Sequence, residues 1–216
     1  MKVLVFAPHN DDEVLGVGGT IAKYAAQGHE VFICEVTKSN TDEEIKEERS
    51  EALAAHQLLG VKQTIFLDFP IVTLRETPLV KINAEFLKVV EDIRPNIAFI
   101  PHKGDMHMDH TVVSHSAMVA LRPINDIKVE NIYVYETLSE TEWNLPTVDN
   151  AYMPNVWSDI SKYIDIKKEA MNCYQSQLKQ PPHPRTLEII EALAKLRGST
   201  VGVPFAESFM LVRRLI

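Results

Sequence analysis

The feature that most limits the fold is a regular alternation of strand-like and helix-like segments. Short apolar, partly β-branched runs occur at Lys2–Ala7, Glu30–Val36, Gln63–Leu67, Asn96–Ile100 and Glu130–Tyr135. Their starts are roughly thirty residues apart, which leaves room for a helix and two loops in each connection. Such alternation predicts an α/β fold, with a mostly parallel sheet between two layers of helices.

Two of the intervening helices carry clear end signals. Thr41-Asp42-Glu43-Glu44 is typical of a capping box, and it predicts a helix that runs to Leu59 and ends at Gly60. Thr77-Pro78 predicts a second helix start, and Arg94-Pro95 stops that helix.

The pattern loosens after about residue 137. The stretch Leu138–Pro154 is polar and irregular, and helices are predicted over Ser161–Gln177 and Thr186–Leu196, with a proline-rich loop around His183 between them. The run Ser208–Val212 predicts an edge strand. No repeat or low-complexity tract suggests a boundary, so residues 1–216 are expected to form a single domain.

Composition excludes several classes of protein. With 22 basic and 30 acidic side chains the formal net charge is −8, which disfavours binding to nucleic acid. Cys34 and Cys173 are too few for a disulfide scaffold, which favours a cytoplasmic location. The first apolar run is too short to span a bilayer, so no stable membrane insertion is expected.

The first predicted strand runs directly into the polar sequence Pro8-His9-Asn10-Asp11-Asp12-Glu13. Three acids and an imidazole after a buried strand are unfavourable unless an opposite charge compensates them, as a divalent cation would. His9 and Asp12 are three residues apart, so both could reach one ion, with Asp11 close enough to act on a water there. The alternative is a solvated turn in which Asp11 or Asp12 caps the next helix.

Three glycines, Gly16, Gly18 and Gly19, follow this cluster. They could let a phosphate approach the start of the helix, or let that helix pack closely on the sheet.

A second polar cluster follows the fourth predicted strand, and four of the eight histidines fall in residues 102–115. His107 and His110 are three residues apart at a predicted helix start, so both can face one side of it. Asp105 and Asp109 could each hold an imidazole in one tautomer. A polar loop with surface histidines is the alternative interpretation.

The predicted topology brings these two clusters together. In a parallel sheet wound in the order 3-2-1-4-5, strands one and four are neighbours, and ligands bind at the carboxyl ends of the strands where the order reverses. Two histidine nitrogens and a carboxylate suit zinc with a fourth position open, which is typical of a catalytic site. The spacing alone does not decide whether His107 or His110 is the second histidine ligand.

The clusters resemble the signatures of the LmbE/PIG-L family of zinc-dependent N-deacetylases. The family pattern PHPDDE before a GxGGT helix start corresponds to Pro8–Glu13 and Gly16–Thr20, and the pattern HPDH corresponds to His107–His110. Asn10 and Met108 stand where the family has proline, which bears on loop rigidity more than on the ligands. Weaker similarity occurs at residues 49–52, 174–177 and 205–209.

The resemblance covers nearly the whole chain and implies a Rossmann-like three-layer sandwich. It implies removal of the acetyl group from a small N-acetylglucosamine-type sugar or conjugate. It further implies that His9, Asp12 and His110 hold zinc, although Fe²⁺ or Mn²⁺ would suit the same ligands. A homo-oligomer is also consistent with the family.

The catalytic roles come from the resemblance as well. Asp11 would be the general base for attack by a zinc-bound water. A protonated His107 would stabilise the oxyanion, with Asp109 behind it.

Three further residues are weaker candidates for binding the substrate: Arg49, His102 and Lys128.

A related function would be cleavage of another N-acyl group or a thiol-sugar conjugate. A different class would be a non-catalytic metal- or nucleotide-binding module, but such a module has no use for a free base such as Asp11.

Overall fold

The computed structural model describes residues 1–124 and 127–216, and its strands form one sheet. The seven strands are β1 (Lys2–Ala7), β2 (Glu30–Lys38), β3 (Gln63–Pro70), β4 (Ile97–Pro101), β5 (Asn131–Tyr135), β6 (Val156–Asp159) and β7 (Ala206–Arg214). Their order is β3-β2-β1-β4-β5-β7-β6. The first five are parallel, and β7 pairs antiparallel with both β5 and β6. The predicted order 3-2-1-4-5 is confirmed.

The described residues form six α-helices that cover the sheet: α1 (Asp12–Ala26), α2 (Asp42–Leu59), α3 (Leu79–Ile93), α4 (Met108–Ala120), α5 (Ile164–Cys173) and α6 (Leu187–Ser199). The capping box that opens α2 is confirmed, because the side chains of Thr41 and Glu44 each bond the other's backbone N–H. Gly60 ends α2 with a φ of 75°, a conformation that glycine adopts without strain. Among the described residues, no helix has the length and apolar content needed to cross a membrane.

The central strand β1 shows how the layers are built. All its residues from Val3 to Ala7 are fully buried. Leu4 and Phe6 pack in one core with α3 and α4, whereas Val3 and Val5 pack in another with α1, α2 and α5. Because successive side chains of a strand point to opposite faces, this alternation places helices on both sides of the sheet. The predicted α/β architecture is confirmed.

The carboxyl-terminal third differs from the sequence prediction in three respects. The strand β6 was not predicted, since four residues carry too short a pattern to recognise. As β6 forms the sheet edge, the predicted edge strand at Ser208–Val212 is wrong in position: it belongs to β7, which is longer and lies between β5 and β6. The helix predicted over Ser161–Gln177 is confined to Ile164–Cys173.

Candidate active site

The two polar clusters meet at the carboxyl ends of β1 and β4. These strands pair in parallel, so the turn after Ala7 and the loop after Pro101 leave the sheet at the same edge. The turn leads into α1 at Asp12, and the loop leads into α4 at Met108. The crevice therefore lies where the strand order reverses.

His9, Asp12 and His110 bring three ligand atoms together. The Oδ2 atom of Asp12 lies 3.3 Å from Nδ1 of His9 and 3.1 Å from Nε2 of His110, and these two nitrogens are 3.4 Å apart. Asp12 and His110 are fully buried, and Oδ1 of Asp12 has no hydrogen-bond partner among the described residues. A buried carboxylate oxygen without a donor, beside two imidazole nitrogens, fits a divalent cation.

The orientation of His110 favours this set. Its Nδ1 lies 2.8 Å from Oδ2 of Asp105, whose other oxygen accepts the hydroxyl of Thr141. A carboxylate at Nδ1 holds the proton on that nitrogen and leaves the lone pair of Nε2 free for a metal. The suggestion that Asp105 fixes an imidazole tautomer is therefore supported at His110.

A second set, His9, His107 and Asp109, is also close enough to hold an ion. Oδ2 of Asp109 lies 3.2 Å from Nε2 of His9 and 3.8 Å from Nδ1 of His107. However, Nδ1 of His107 accepts the backbone N–H of Asp109, and Oδ2 of Asp109 accepts that of Val72. Because Nδ1 of His107 already accepts a hydrogen bond, whereas Nε2 of His110 keeps a lone pair for a metal, the first set is the better metal site. The carboxylate of Asp109 thus contacts His9 more closely than the expected His107.

In the first set, the charges of Asp12 and His110 shift each other's pKa values. Burial alone raises the pKa of Asp12, but His110 and His9 outweigh it and hold the pKa well below its usual range. Burial lowers the pKa of His110, yet Asp12 and Asp105 raise it well above the ordinary value. Positive charge between these side chains therefore stabilises the carboxylates, and protons on the imidazoles or a metal ion would supply it.

Asp11 is buried beside this set and has a strongly altered proton affinity. Burial raises its pKa to about 7, aided by Asp12 and Glu13, while Arg185 acts in the opposite direction. Its Oδ2 lies 3.0 Å from Nη1 of Arg185. The alternative of a capping aspartate is wrong for Asp11, since it stands at the N-cap of α1 without a side-chain capping bond.

His107 differs from the expected imidazolium. Burial, with repulsion from His9, lowers its pKa to about 4, so the ring is neutral at neutral pH. The protonated His107 that the resemblance implies stays a prediction, and the environment of the ring in this structure favours the neutral form. Because Nδ1 accepts from the Asp109 N–H, the neutral ring carries its proton on Nε2 and is still a hydrogen-bond donor.

A polar cavity of about 180 Å³ adjoins the site. Its lining includes His9 and His107 together with Glu140, Gln177 and Arg185, which lie far along the chain from both polar clusters. Sequence reasoning missed the last three. Gln177 belongs to a weakly family-like stretch, whereas Glu140 and Arg185 stand in irregular segments without a recognisable pattern.

The weaker candidates are not at this cavity. Arg49 pairs with Asp68 and lies over the ring of Phe66. His102 is buried, with Nε2 3.0 Å from the carbonyl of Asn150. Lys128 precedes β5 and therefore lies at the amino ends of the strands, the opposite edge of the sheet.

The three glycines of α1 serve packing. A Cβ on Gly16 would lie 2.3 Å from the ring of Tyr135, and one on Gly19 would lie 2.8 Å from Ile160. A Cβ on Gly18 would meet Lys167 at 3.2 Å. The close approach of α1 to its neighbours requires small residues at these positions, so the packing interpretation is favoured over phosphate binding.

A further buried group was not recognised from the sequence. Glu13, Glu35 and His56 are close enough for a metal and are all buried. Glu13, however, already accepts hydrogen bonds from the Tyr174 hydroxyl and the Asp11 N–H. Glu13 and His56 are therefore hydrogen-bonded to each other beneath the site, whereas neither carboxylate oxygen of Glu35 has a hydrogen-bond partner among the described residues.

Comparisons with known proteins agree with the resemblance. A family model, PIG-L, described as GlcNAc-PI de-N-acetylase, matches residues 4–121. The chain is 25% identical to the diacetylchitobiose deacetylase of Thermococcus kodakarensis, over 98% of this chain and 83% of that protein. It is 26% identical to a probable N-acetyl-alpha-D-glucosaminyl L-malate deacetylase 2 of Bacillus anthracis, over 81% of this chain and 80% of that protein.

A solved structure has the same fold over nearly its full length. A conserved protein of Thermus thermophilus superposes with a TM-score of 0.81 at 28% identity, covering 99% of this chain and 96% of that one.

Proposed function

Because the chain belongs to the PIG-L family of GlcNAc-PI de-N-acetylases, we propose that it removes the acetyl group from an N-acetylated amino sugar or sugar conjugate. The observation that carries this proposal is the buried Asp11 carboxyl, which is close enough to respond to the charges of Asp12 and His9, two of the three residues whose atoms converge with His110. A purely structural metal site needs ligands only, whereas amide hydrolysis also needs a base within reach.

His9, Asp12 and His110 would hold the metal, and Asp109 would orient His9 through its Nε2. Two nitrogens and one oxygen suit Zn²⁺, and Fe²⁺ or Mn²⁺ is the alternative. Such an ion lowers the pKa of a coordinated water to about 7 and polarises the acetyl carbonyl.

The chain's own groups account for the proton transfers. Asp11 takes a proton from the attacking water and later passes it to the departing amine. Nε2–H of His107 donates to the oxygen of the tetrahedral intermediate, where one well-placed donor contributes about 3 kcal/mol to lowering the barrier. The products are acetate and a free amino sugar.

The cavity suits one sugar residue rather than a whole conjugate. Its volume of about 180 Å³ is below the roughly 300 Å³ that encloses a drug-sized ligand. Thr37, Lys38 and Ser39 supply polar groups for sugar hydroxyls. The remainder of the substrate would lie outside, against the stretch Leu138–Pro154 and the loop around His183, which meet where Trp143 contacts the ring of His183.

The test is a screen of N-acetylated sugar conjugates for amine release, with chelated protein and with protein resupplied with zinc. We expect release that depends on the metal. His110→Ala should lose both metal and turnover, whereas the control His115→Ala, an exposed residue of the same helix, should lose neither. Protein without bound transition metal, and without release after zinc is added, would favour a non-catalytic binding module. Release only from other N-acyl or thiol-sugar conjugates would support the related amidase.

A further inference from the structure

Asp11 has an unusual backbone conformation, with φ 134° and ψ −25°. Residues other than glycine rarely adopt such a φ, and surrounding contacts must hold them there. The carbonyl of Asp11 accepts the N–H groups of Val14 and Leu15, which are bonds of the helix start. Its N–H donates to Oε2 of Glu13 at 3.1 Å. The Glu13 side chain therefore makes the one of these backbone hydrogen bonds of Asp11 that does not belong to the helix.

Glu13 is itself held from two other elements. It is fully buried, and Oε1 accepts the Tyr174 hydroxyl at 2.6 Å and faces Nε2 of His56 at 3.1 Å. Nδ1 of His56 lies 2.7 Å from the hydroxyl of Thr64, so with Nε2 donating to Glu13, Nδ1 accepts the threonine proton. The direction of the Glu13 carboxylate is thus set by a tyrosine after α5 and a histidine on α2.

The turn Tyr174–Gln177 is anchored on both sides. The N–H and hydroxyl of Ser176 donate to the two carboxylate oxygens of Glu51 at 3.0 and 2.6 Å. Gln177 lies 3.4 Å from Nη1 of Arg185, the atom that pairs with the Asp11 carboxylate. This turn therefore contacts Glu13, which holds the Asp11 backbone, and also Arg185, which pairs with the Asp11 side chain.

We propose that Tyr174 is a positioning residue: through Glu13 its hydroxyl holds the Asp11 backbone and hence the direction of the general base. This inference rests on the proposed function. It also accounts for two stretches of weak family similarity, because Glu51 of residues 49–52 anchors Ser176 of residues 174–177. Tyr174 touches no reacting atom, and its contribution is transmitted through two hydrogen bonds.

The variant Tyr174→Phe removes only the hydroxyl. We expect kcat to fall roughly 10- to 100-fold, as is usual when a supporting hydrogen bond of an active site is removed, with KM and metal content unchanged. The matched control is Tyr135→Phe, which deletes another fully buried hydroxyl, bonded to the carbonyl of Phe6 at 2.8 Å, and should keep kcat. At His56, Gln keeps a donor and should keep most activity, whereas Leu should lower kcat.

Combining Tyr174→Phe with Asp11→Asn separates positioning from general stability. If Tyr174 acts through the base, its loss has no further effect once that base is absent, whereas a structural role would lower kcat equally in both backgrounds. Equal losses, or an unchanged kcat in Tyr174→Phe, would overturn the proposal while leaving the deacetylase function intact.

Crystal structures of the wild type and Tyr174→Phe give an independent readout. We expect Asp11 to keep a positive φ in the wild type and to relax toward negative φ in the variant. An unchanged φ overturns the proposal, even if no substrate is found and the proposed function fails.

Discussion

Replacing Lys167 with Met should strongly destabilise the fold, because it breaks a buried ion pair. Nζ of Lys167 lies 2.6 Å from Oε1 of Glu207 and 2.8 Å from the carbonyl of Leu15, and both side chains are 4% exposed. Glu207 also accepts the N–H groups of Gly19 and Thr20, both at 2.8 Å. The pair therefore joins α5 and β7 to the middle of α1, whose first turn carries the site.

The size of the destabilisation follows from the contacts that Glu207 keeps in Lys167→Met. Met fills a similar volume, so little packing is lost, but Glu207 is left charged and buried with only its two N–H donors. Removing one partner of a buried pair costs about 3–5 kcal/mol of unfolding free energy. With a urea dependence of about 1–3 kcal/mol per molar, the unfolding midpoint should fall by at least about 1 M.

The assay is urea unfolding of the wild type, Lys167→Met and a matched control. Lys195→Met makes the same chemical change at a side chain that is 58% exposed and pairs with Glu191 on the surface of α6. Exposed pairs contribute little, so the control should leave the midpoint unchanged. A midpoint for Lys167→Met within error of that for Lys195→Met would show that the buried pair does not stabilise the fold.

Three further predictions concern the site. Asp11→Ala should retain the metal but lose most turnover, by about 10²- to 10⁴-fold; loss of metal by elemental analysis would refute the base assignment. His107→Ala should also keep the metal and lower kcat, and unchanged turnover would remove it from the mechanism. With chelator present, the wild type should lose stability relative to Asp11→Asn as the pH rises. The pKa of Asp11 is raised from 3.8 to about 7 in the fold, so its contribution is complete below pH 3.8 and is lost as the pH rises through about 7. Urea unfolding at pH 5 and 8 measures this difference, and an equal difference at both would contradict it.

Much of the fold could be predicted because its signals are local. The capping box at Thr41 and the stop at Gly60 act within one turn of helix. The meeting of the two clusters followed from one general rule, that parallel strands bring their carboxyl ends to the same edge. That rule needed only the strand order, and the order proved correct.

The missed features depend on partners far along the chain. Lys167 and Lys168 are neighbours of the same type, yet one is buried against Glu207 and the other pairs with Glu191 on the surface side. Arg185 follows a proline-rich loop and reaches Asp11 across 174 positions of sequence. No periodicity within a helix or loop encodes such pairings, because they are decided by which elements pack together.

Three consecutive acids illustrate the same limit and bear on the proposed chemistry. Asp11, Asp12 and Glu13 are almost alike as sequence, but each meets a different environment at the start of α1. Burial raises the pKa of Asp11 to about 7, whereas His110 and His9 overcome burial and hold that of Asp12 well below its usual range. Glu13 accepts the hydroxyl of Tyr174 and the backbone N–H of Asp11. In the proposed function, a base that can release and regain a proton would thus stand beside a charged metal ligand, and adjacent groups with opposite proton affinities are what hydrolysis at neutral pH requires.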